Sequence, residues 1–318
     1  LDELPASVET LAERLRSAGW TTHGIAFKPA LADRGFEQGF ESYFNVPRIY
    51  HQADQNLFKA RTFLERHRER RFFLFLHFND PHLPYTHPRP FLSQQSVSDI
   101  ALFRLALPVF IRSDLGNCRL CGTSGDLTSR YMSMGRRMYV EEIRYLDDRI
   151  GELIDDLKWH GLYDDTMIVF VSDHGESLWD HYDHFGHGGR NHHDELVKVP
   201  LMIKPHRQWA SVKGAVVRTD VRAFDLMPTV LELAGLDAGG ELEAVSLASL
   251  LGDPTGGPGD LSVLSTSDWA SAVRRWPWRY VRSLLPHNEG EQLFNLEHDP
   301  EEKLDVADRY PEVVAELR

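Results

Sequence analysis

The sequence predicts an α/β protein with a mostly parallel central sheet flanked by helices and a small antiparallel C-terminal subdomain. Three observations carry this. An apolar, β-branched run from Thr166 to Val171 ends in Asp173-His174-Gly175-Glu176, so a carboxylate and an imidazole are delivered at the carboxyl end of a buried strand, where open α/β sheets place their ligand sites. Strand and helix patterns alternate before that run, the order that builds parallel sheets. After residue 250 the texture changes to short strand candidates separated by Gly and Pro.

Each element has a local reason. Pro5-Ala6-Ser7 is expected to open a helix with Ser7 as N-cap; Val8, Leu11, Ala12 and Leu15 recur at helical spacing, and Gly19 stops it. Thr21 to Phe27 reads as a short strand and Asp54 to His67 as a basic amphipathic helix. A long helical pattern from about Ser129 to His160 sets Ile143, Leu146, Ile150, Leu153, Ile154 and Leu157 on one stripe, and Gly161 ends it. The run Gly252-Asp253-Pro254-Thr255-Gly256-Gly257-Pro258-Gly259 is a linker or exposed turn. Strand candidates follow at Leu261 to Leu264, Arg279 to Arg282 and Gln292 to Leu296. The expected division is an α/β domain over 1–250 and a subdomain over 251–318 that closes with a terminal helix.

Composition narrows the class of function. With 318 residues, 42% of them hydrophobic, the chain can bury a large core. No apolar run reaches the roughly 18 to 20 residues that span a bilayer. A net charge of −13 argues against a nucleic-acid partner, which calls for basic patches. The two cysteines, Cys118 and Cys121, could be half of a zinc knuckle, a redox pair or loop thiols; no second cysteine pair completes a four-coordinate site.

A second cluster, Asp180, His181, Asp183, His184 and His187, follows the strand-end motif, with Gly186, Gly188 and Gly189 allowing the backbone to fold closely around a ligand. These residue types suit a metal-assisted site for an anionic ester. The stretch also carries a family resemblance. Ser172-Asp173-His174-Gly175-Glu176, Phe185-Gly186-His187-Gly188 and Asp194-Glu195-Leu196, leading into Val199-Pro200-Leu201-Met202-Ile203, resemble a sulfatase of the alkaline phosphatase superfamily. Upstream, Phe72 to Asp80 and then Pro81-His82-Leu83-Pro84-Tyr85 are similar to the strand and Pro-His-x-Pro-Tyr turn of that family. Downstream, Asp225-Leu226-Met227-Pro228-Thr229, Leu293-Phe294-Asn295-Leu296 and Asp299-Pro300-Glu301 continue the match in order.

Two family motifs do not occur: an Asp-Asp pair after the first strand, and the Cys- or Ser-x-Pro-x-Arg motif whose first residue becomes formylglycine. Asp147-Asp148 and Asp155-Asp156 fall inside a helical pattern, Asp164-Asp165 precedes a strand, and neither cysteine has the required neighbours. The chain opens at Leu1, just before Thr10-Leu11-Ala12-Glu13-Arg14-Leu15, similar to a family helix. It is therefore expected to be a fragment lacking the N-terminal nucleophile motif. With that segment absent, a signal peptide could be absent too, and the compartment is left open.

The resemblance implies a sulfuric ester hydrolase with the following residue roles. Asp173 and His174 are metal ligands, with Ca²⁺ first and Mn²⁺ or another transition metal next, because imidazole suits softer ions than Ca²⁺. His82, held between two prolines, contacts the sulfuryl group and protonates the leaving oxygen. His187 stands where the family has a Lys or His on a sulfuryl oxygen, with His181 and His184 as alternatives. Lys28, in Phe27-Lys28-Pro29-Ala30, occupies the place of a family lysine while its histidine partner is absent. Each role has a structural alternative: Asp173 capping a turn, His174 satisfied in a core, His82 in a bland turn, Lys28 on the surface. Asn79 and Asp80 shape the His82 turn or bind substrate, and His192 and His193 are solvated or support the ligands. Arg274 and Arg275 could select an anionic group, while the nearby tryptophans are better explained by packing.

The expected partners are a small-molecule or carbohydrate sulfate ester and a formylglycine-generating enzyme, with no nucleic acid and no membrane span. Two other functions stay open. One is a phosphate or phosphonate monoester hydrolase of the same superfamily; the other is a non-catalytic binding protein that keeps the fold.

Overall fold

The computed structural model describes residues 3–26, 34–45, 52–85, 100–101, 103, 125–181, 185–187, 192–209, 214–239, 243–256, 262–267, 269–284 and 290–318. These fall into two compact units, one ending at Thr166 and the other running from Met167 to Arg318. Cys118 and Cys121 lie outside the described residues.

The first unit is built on a parallel three-stranded sheet. Strand β1 (Thr21–Ala26) is central, with β2 (Ser42–Asn45) on one edge and β3 (Phe72–Leu76) on the other. Every residue of β1 is buried, as expected of a strand covered on both faces. Helix α1 (Leu11–Ser17) precedes it, starting at Thr10 and not at Ser7. Thr10 accepts from the Glu13 N–H at 3.1 Å while its own N–H reaches Glu13 Oε2 at 2.8 Å. This reciprocal box satisfies two backbone donors at once, and no such partner is available to Ser7. Gly19, at φ +84°, ends the helix as the sequence indicates.

Helices α2 (Gln52–His67) and α3 (Gly125–Trp159) pack beside this sheet. Ile25 and Ala60 form a buried pair covered by Leu74, Leu76 and Leu153, and Ala53, Tyr145 and Leu146 form another with Phe78 and Ile150. Burying a side chain such as Ile25 completely contributes roughly 1.5–3 kcal/mol. Arg61 on α2 reaches Asp156 at 2.6 Å and Glu152 at 3.0 Å on α3, a half-exposed pairing worth about 0–1 kcal/mol. The expected apolar stripe on α3 is displaced: Ile143 is exposed, while Glu142 and Tyr145 are buried. A spacing of seven residues drifts by about 20° on a straight helix, so distant members of one stripe need not share its buried edge.

His23 sits inside β1, stacked on Phe63 at 4.6 Å and hydrogen-bonded to the Ser42 hydroxyl. Burial, reinforced by the charges of His67 and Lys59, pushes its pKa down to about 4. It is a neutral core group at physiological pH.

The second unit is antiparallel where described. Strand β4 (Ile168–Val171) pairs with β7 (Leu201–Lys204), and two-residue strands β5 (Ser177–Leu178) and β6 (Phe185–Gly186) make a hairpin. None of β4 is fully buried, so the expectation of a buried strand holds for its position and not for its burial. A four-stranded sheet follows in the order β11-β10-β9-β8, from Val263–Thr266 (β8), Ala270–Arg275 (β9), Trp278–Ser283 (β10) and Gly290–Asn295 (β11). The sequence missed β9, whose two arginines broke the apolar pattern.

Among the described residues, the second unit also holds helices α4 (Asp194–Val197), α5 (Leu226–Leu233) and α6 (Pro311–Leu317). Tyr280, Leu293, Val306, Val314 and Leu317 pack α6 onto one face of the sheet, while Ala272, Val281, Phe294 and Leu296 gather in a second cluster. Before α5, buried Asp225 takes hydrogen bonds from Arg222 and the Val245 N–H, and Thr229 Oγ1 accepts from the Leu247 N–H. The Asp225-to-Thr229 motif is thus a structural clamp.

Candidate active site

β4 ends at Val171, and the next turn presents Asp173 and His174. Asp173 Oδ1 accepts from the His174 N–H at 3.0 Å, and the His174 Nδ1–H donates to the Gly175 carbonyl at 2.7 Å. These two bonds turn the remaining ligand atoms toward each other, with Asp173 Oδ2 and His174 Nε2 3.7 Å apart. The side chains are 64% and 37% exposed, so neither is a satisfied core group. Gly175 is required by a close approach: a Cβ there would lie 2.0 Å from the Glu195 carbonyl, and its N–H donates to Leu196 O at 2.7 Å.

The β5–β6 hairpin adds a second histidine. Its register pairs Ser177 with Gly186 and Leu178 with Phe185, so the next positions outward are Glu176 and His187. Glu176 Oε1 accepts from His187 Nδ1–H at 2.8 Å, and the His187 ring stacks on His174 with centroids 4.2 Å apart. Asp173, His174, Glu176 and His187 thus meet in one place. Glu176 was not singled out for a role in the sequence, because two-residue strands leave no periodicity from which register can be read.

His82 belongs to the first unit. Its N–H donates to Asn79 O at 2.6 Å and its Nδ1–H to Leu83 O at 2.6 Å, fixing the ring within the Pro81-to-Pro84 turn. The Asn79 carbonyl is thus part of the turn. Asp80 Oδ2 accepts from the Ala53 N–H at the start of α2 at 3.1 Å. Burial, together with the Glu142 charge, raises its pKa to about 6. Lys28, Asp183, His184, Gly188 and Gly189 lie outside the described residues.

His181 and His193 belong to a different cluster. Their rings stack 4.0 Å apart at 5°. With Glu302 they bring one ligand atom each within 4.8 Å of one another, a group able to hold a divalent cation. A small cavity lined in part by His181, Glu302, Asp180 and Asp305 opens beside it. The sequence missed this group because Glu302 arrives from the far end of the chain; of its two alternatives for His192 and His193, solvated or supporting the ligands, burial of both excludes the first.

Other groups compete with a cation there. His181 Nδ1 faces Glu195 Oε1 at 2.8 Å and its Nε2 faces the Glu301 carbonyl at 2.9 Å. Two acceptors call for two N–H donors, hence an imidazolium. Burial lowers its pKa, but the Glu195 hydrogen bond and charge outweigh this and raise it. Glu302 accepts from Arg279 Nε at 3.1 Å and from His193 Nδ1–H at 2.6 Å. Asp194 pairs with Arg279 and with Arg274, which also reaches Asp220. Burial would raise Asp194, yet the two arginines hold its carboxyl below the usual range. Arg274 and Arg275 thus have carboxylate partners, Arg275 pairing with Glu316, and Trp278 packs against Tyr310 at 4.9 Å.

The sequence model of the sulfatase family matches residues 2–236. The chain belongs to the sulfatase family. The match also corrects the expectation of a fragment lacking its N-terminal family region, because the matched region begins at residue 2 and takes in α1 and β1. Two missing short motifs carried that expectation, and such motifs do not locate where a family's region starts.

A choline-sulfatase from Rhizobium meliloti is 32% identical over 189 residues, covering 58% of this chain and 35% of that protein. Among curated relatives the chain spans from 35% to 52% of their length. A solved structure holding D-glucosamine-2-N,6-O-disulfate as its substrate superposes with a TM-score of 0.78 at 18% identity, covering 99% of this chain and 81% of that one. A phosphonate monoester hydrolase from Agrobacterium radiobacter gives 0.73 at 20% identity, with 99% and 79% covered. At these identities the likeness establishes the fold. Among the described residues of this sulfatase-family chain, no helix is long and apolar enough to cross a membrane.

Proposed function

We propose that this sulfatase-family chain hydrolyses a sulfate monoester of a small molecule or carbohydrate. The observation that carries the reading is the strand-end constellation, with Asp173 Oδ2 3.7 Å from His174 Nε2 and His187 stacked on His174. A carboxylate and an imidazole at that separation suit one shared cation, and a second imidazole stands beside them for a sulfuryl oxygen. Asp173 and His174 are the proposed metal ligands, two donors of a shell that needs at least four. Family likeness favours Ca²⁺, and the imidazole favours Mn²⁺ or another transition metal next. When bound, the cation withdraws charge from the sulfuryl oxygens and lowers the barrier to S–O cleavage.

In its doubly protonated form, with Nδ1–H held by Glu176, His187 donates Nε2–H to a sulfuryl oxygen. His82, whose Nδ1 is engaged by Leu83 O, carries a proton on Nε2 to the leaving oxygen; this role rests on the Pro81-His82-Leu83-Pro84 resemblance. Lys28 adds a cationic contact on the same ground. The attacking group proposed from family likeness is a formylglycine made by a formylglycine-generating enzyme. No Cys-x-Pro-x-Arg or Ser-x-Pro-x-Arg occurs among the 318 residues, and none of the residues above is assigned to it. The proposed organisation keeps this chemistry on 1–250, with 251–318 as a supporting subdomain.

A second reading, phosphate or phosphonate ester hydrolysis, is favoured by His174 standing where the family often has Asn. The test is hydrolysis of matched aryl sulfate, phosphate and phosphonate esters with Ca²⁺ or Mn²⁺ by the full-length protein co-expressed with a formylglycine-generating enzyme, and by its Asp173→Ala and His82→Ala variants. Sulfate preference abolished by both substitutions is the expected result. Preference for a phosphorus ester moves the chain to the second reading, and cation and sulfate binding without turnover moves it to a binding role.

A further inference from the structure

We propose that Glu195 is a positioning residue for the metal ligand His174, acting through the backbone of Gly175. This rests on the ligand role proposed for His174. The His174 ring is oriented by its Nδ1–H, which donates to the Gly175 carbonyl at 2.7 Å. A carbonyl can only accept, so Nδ1 carries the proton and Nε2 of the neutral imidazole keeps the lone pair that a cation needs. The direction of Nε2 therefore follows the direction of the Gly175 carbonyl.

Gly175 has no side chain to fix it and is held from outside. Its N–H donates to Leu196 O at 2.7 Å. The Glu195–Leu196 peptide lies close against its Cα: a Cβ there would be 2.0 Å from the Glu195 carbonyl oxygen, 2.9 Å from the Glu195 carbonyl carbon and 3.2 Å from Leu196 Cα. The backbone of residue 195 thus sets where Gly175 lies, and the side chain of residue 195 anchors that backbone. Glu195 Oε1 accepts from His181 Nδ1–H at 2.8 Å. The two side chains are 15% and 8% exposed, so little water competes for the bond. The anchor is itself fixed from its other side, since His181 Nε2 faces the Glu301 carbonyl at 2.9 Å and the ring stacks on His193. The line of contact runs from the buried histidine pair through Glu195 and Gly175 to the ring of His174.

The alternative is that the Glu195–His181 bond only stabilises the fold. Glu195→Ala removes the anchor, Glu195→Asp draws it back by one methylene, and Glu195→Gln keeps an acceptor at the same reach and serves as the rescue. The full-length protein, freed of metal, is titrated calorimetrically with Mn²⁺ and with Ca²⁺ at a temperature where denaturation curves show each variant folded. Hydrogen exchange of the Gly175 amide is followed alongside, because its bond to Leu196 O reports the contact without any metal.

Cation affinity should fall by about tenfold or more in Glu195→Ala and Glu195→Asp, within the range typical of lost orienting partners, and stay near the parent's in Glu195→Gln. The Gly175 amide should exchange faster in the first two and not in the third. Parental affinity in Glu195→Ala while His174→Ala binds more weakly overturns the positioning role, as does weaker binding with unchanged Gly175 exchange or an equal loss in Glu195→Gln. Where Glu195→Ala does not fold, Glu195→Asp decides. Unchanged affinity in both His174→Ala and Asp173→Ala, or no binding of either cation by the parent, overturns the ligand reading on which the role rests, a result distinguishable from the others.

Discussion

Two histidine–carboxylate clusters grow from the same short stretch of chain and differ in what surrounds them. Asp173, His174 and His187 keep partly exposed side chains, and the ligand atoms of the first two lie 3.7 Å apart. His181 and His193 are buried, and Glu302, the carboxylate of His193, is shared with Arg279 and with the Asp194 N–H. The same residue types thus give a ligand-ready surface in one place and a neutralised internal network in the other. Solvation and the number of competing donors decide between them. Histidine density in a sequence does not.

The largest expected effect tests the buried member. Glu302→Ala leaves Arg279 and His193 facing each other without their shared carboxylate, and chemical denaturation of the full chain should show a loss of about 3–5 kcal/mol. A loss below about 1 kcal/mol would mean that the network is dispensable and that the contrast between the two clusters is false.

Asp173→Ala tests the exposed member. Ester hydrolysis should fall by about a hundredfold or more, while stability changes by no more than about 0.5 kcal/mol, as at exposed positions generally. Equal effects of Asp173→Ala and Glu302→Ala on stability would erase the distinction.

Carboxylates extend the comparison. Asp194 is compensated by two arginines, whereas Asp80 is buried beside Glu142 and raised to about 6. A carboxyl whose native pKa exceeds its unfolded value binds its proton more tightly when folded. Its contribution is therefore fully present below about pH 4, declines as pH rises through about 6, and is flat above. At about 1.4 kcal/mol per pH unit of displacement, Asp80→Asn should stabilise the chain at pH 7 by up to roughly 3 kcal/mol, since Asn Oδ1 can keep the Ala53 N–H bond. With that slope removed, the opposite one from His23, displaced down to about 4, should emerge as stability rising from pH 4 to 6.5. Unfolding midpoints measured across pH 4–8 in both proteins check the two signs.

The smallest effect falls on the joint between the clusters. Gly175 touches the Glu195 carbonyl, and Glu195 in turn holds His181. Gly175→Ala should cost about 1–3 kcal/mol of overpacking and lower hydrolysis as well. A change in activity alone would show that the strand end tolerates displacement without disturbing the network.

Much of this was legible beforehand. The capping and stop residues, the long helix and the strand leading to Asp173 follow from spacing and turn chemistry, which act over a few residues. The pairing of β1 with β2 and β3 was anticipated only as parallel order, and its register was not. Thr10 displaced Ser7 because Glu13 answers it, a local rule that was available but overlooked. Ile143 and Glu142 exchanged burial because a seven-residue spacing follows a straight helix only approximately.

The sequence by itself determined the family, the α/β class and the residue types gathered after β4, because these depend on order along the chain. Tertiary structure alone decided that Glu176 faces His187, that Glu302 and Arg279 enclose His193, and that His181 is neutralised by Glu195. Those pairings depend on hairpin register and on chain segments far apart in sequence, and burial then determines whether an imidazole remains a ligand or becomes part of the core.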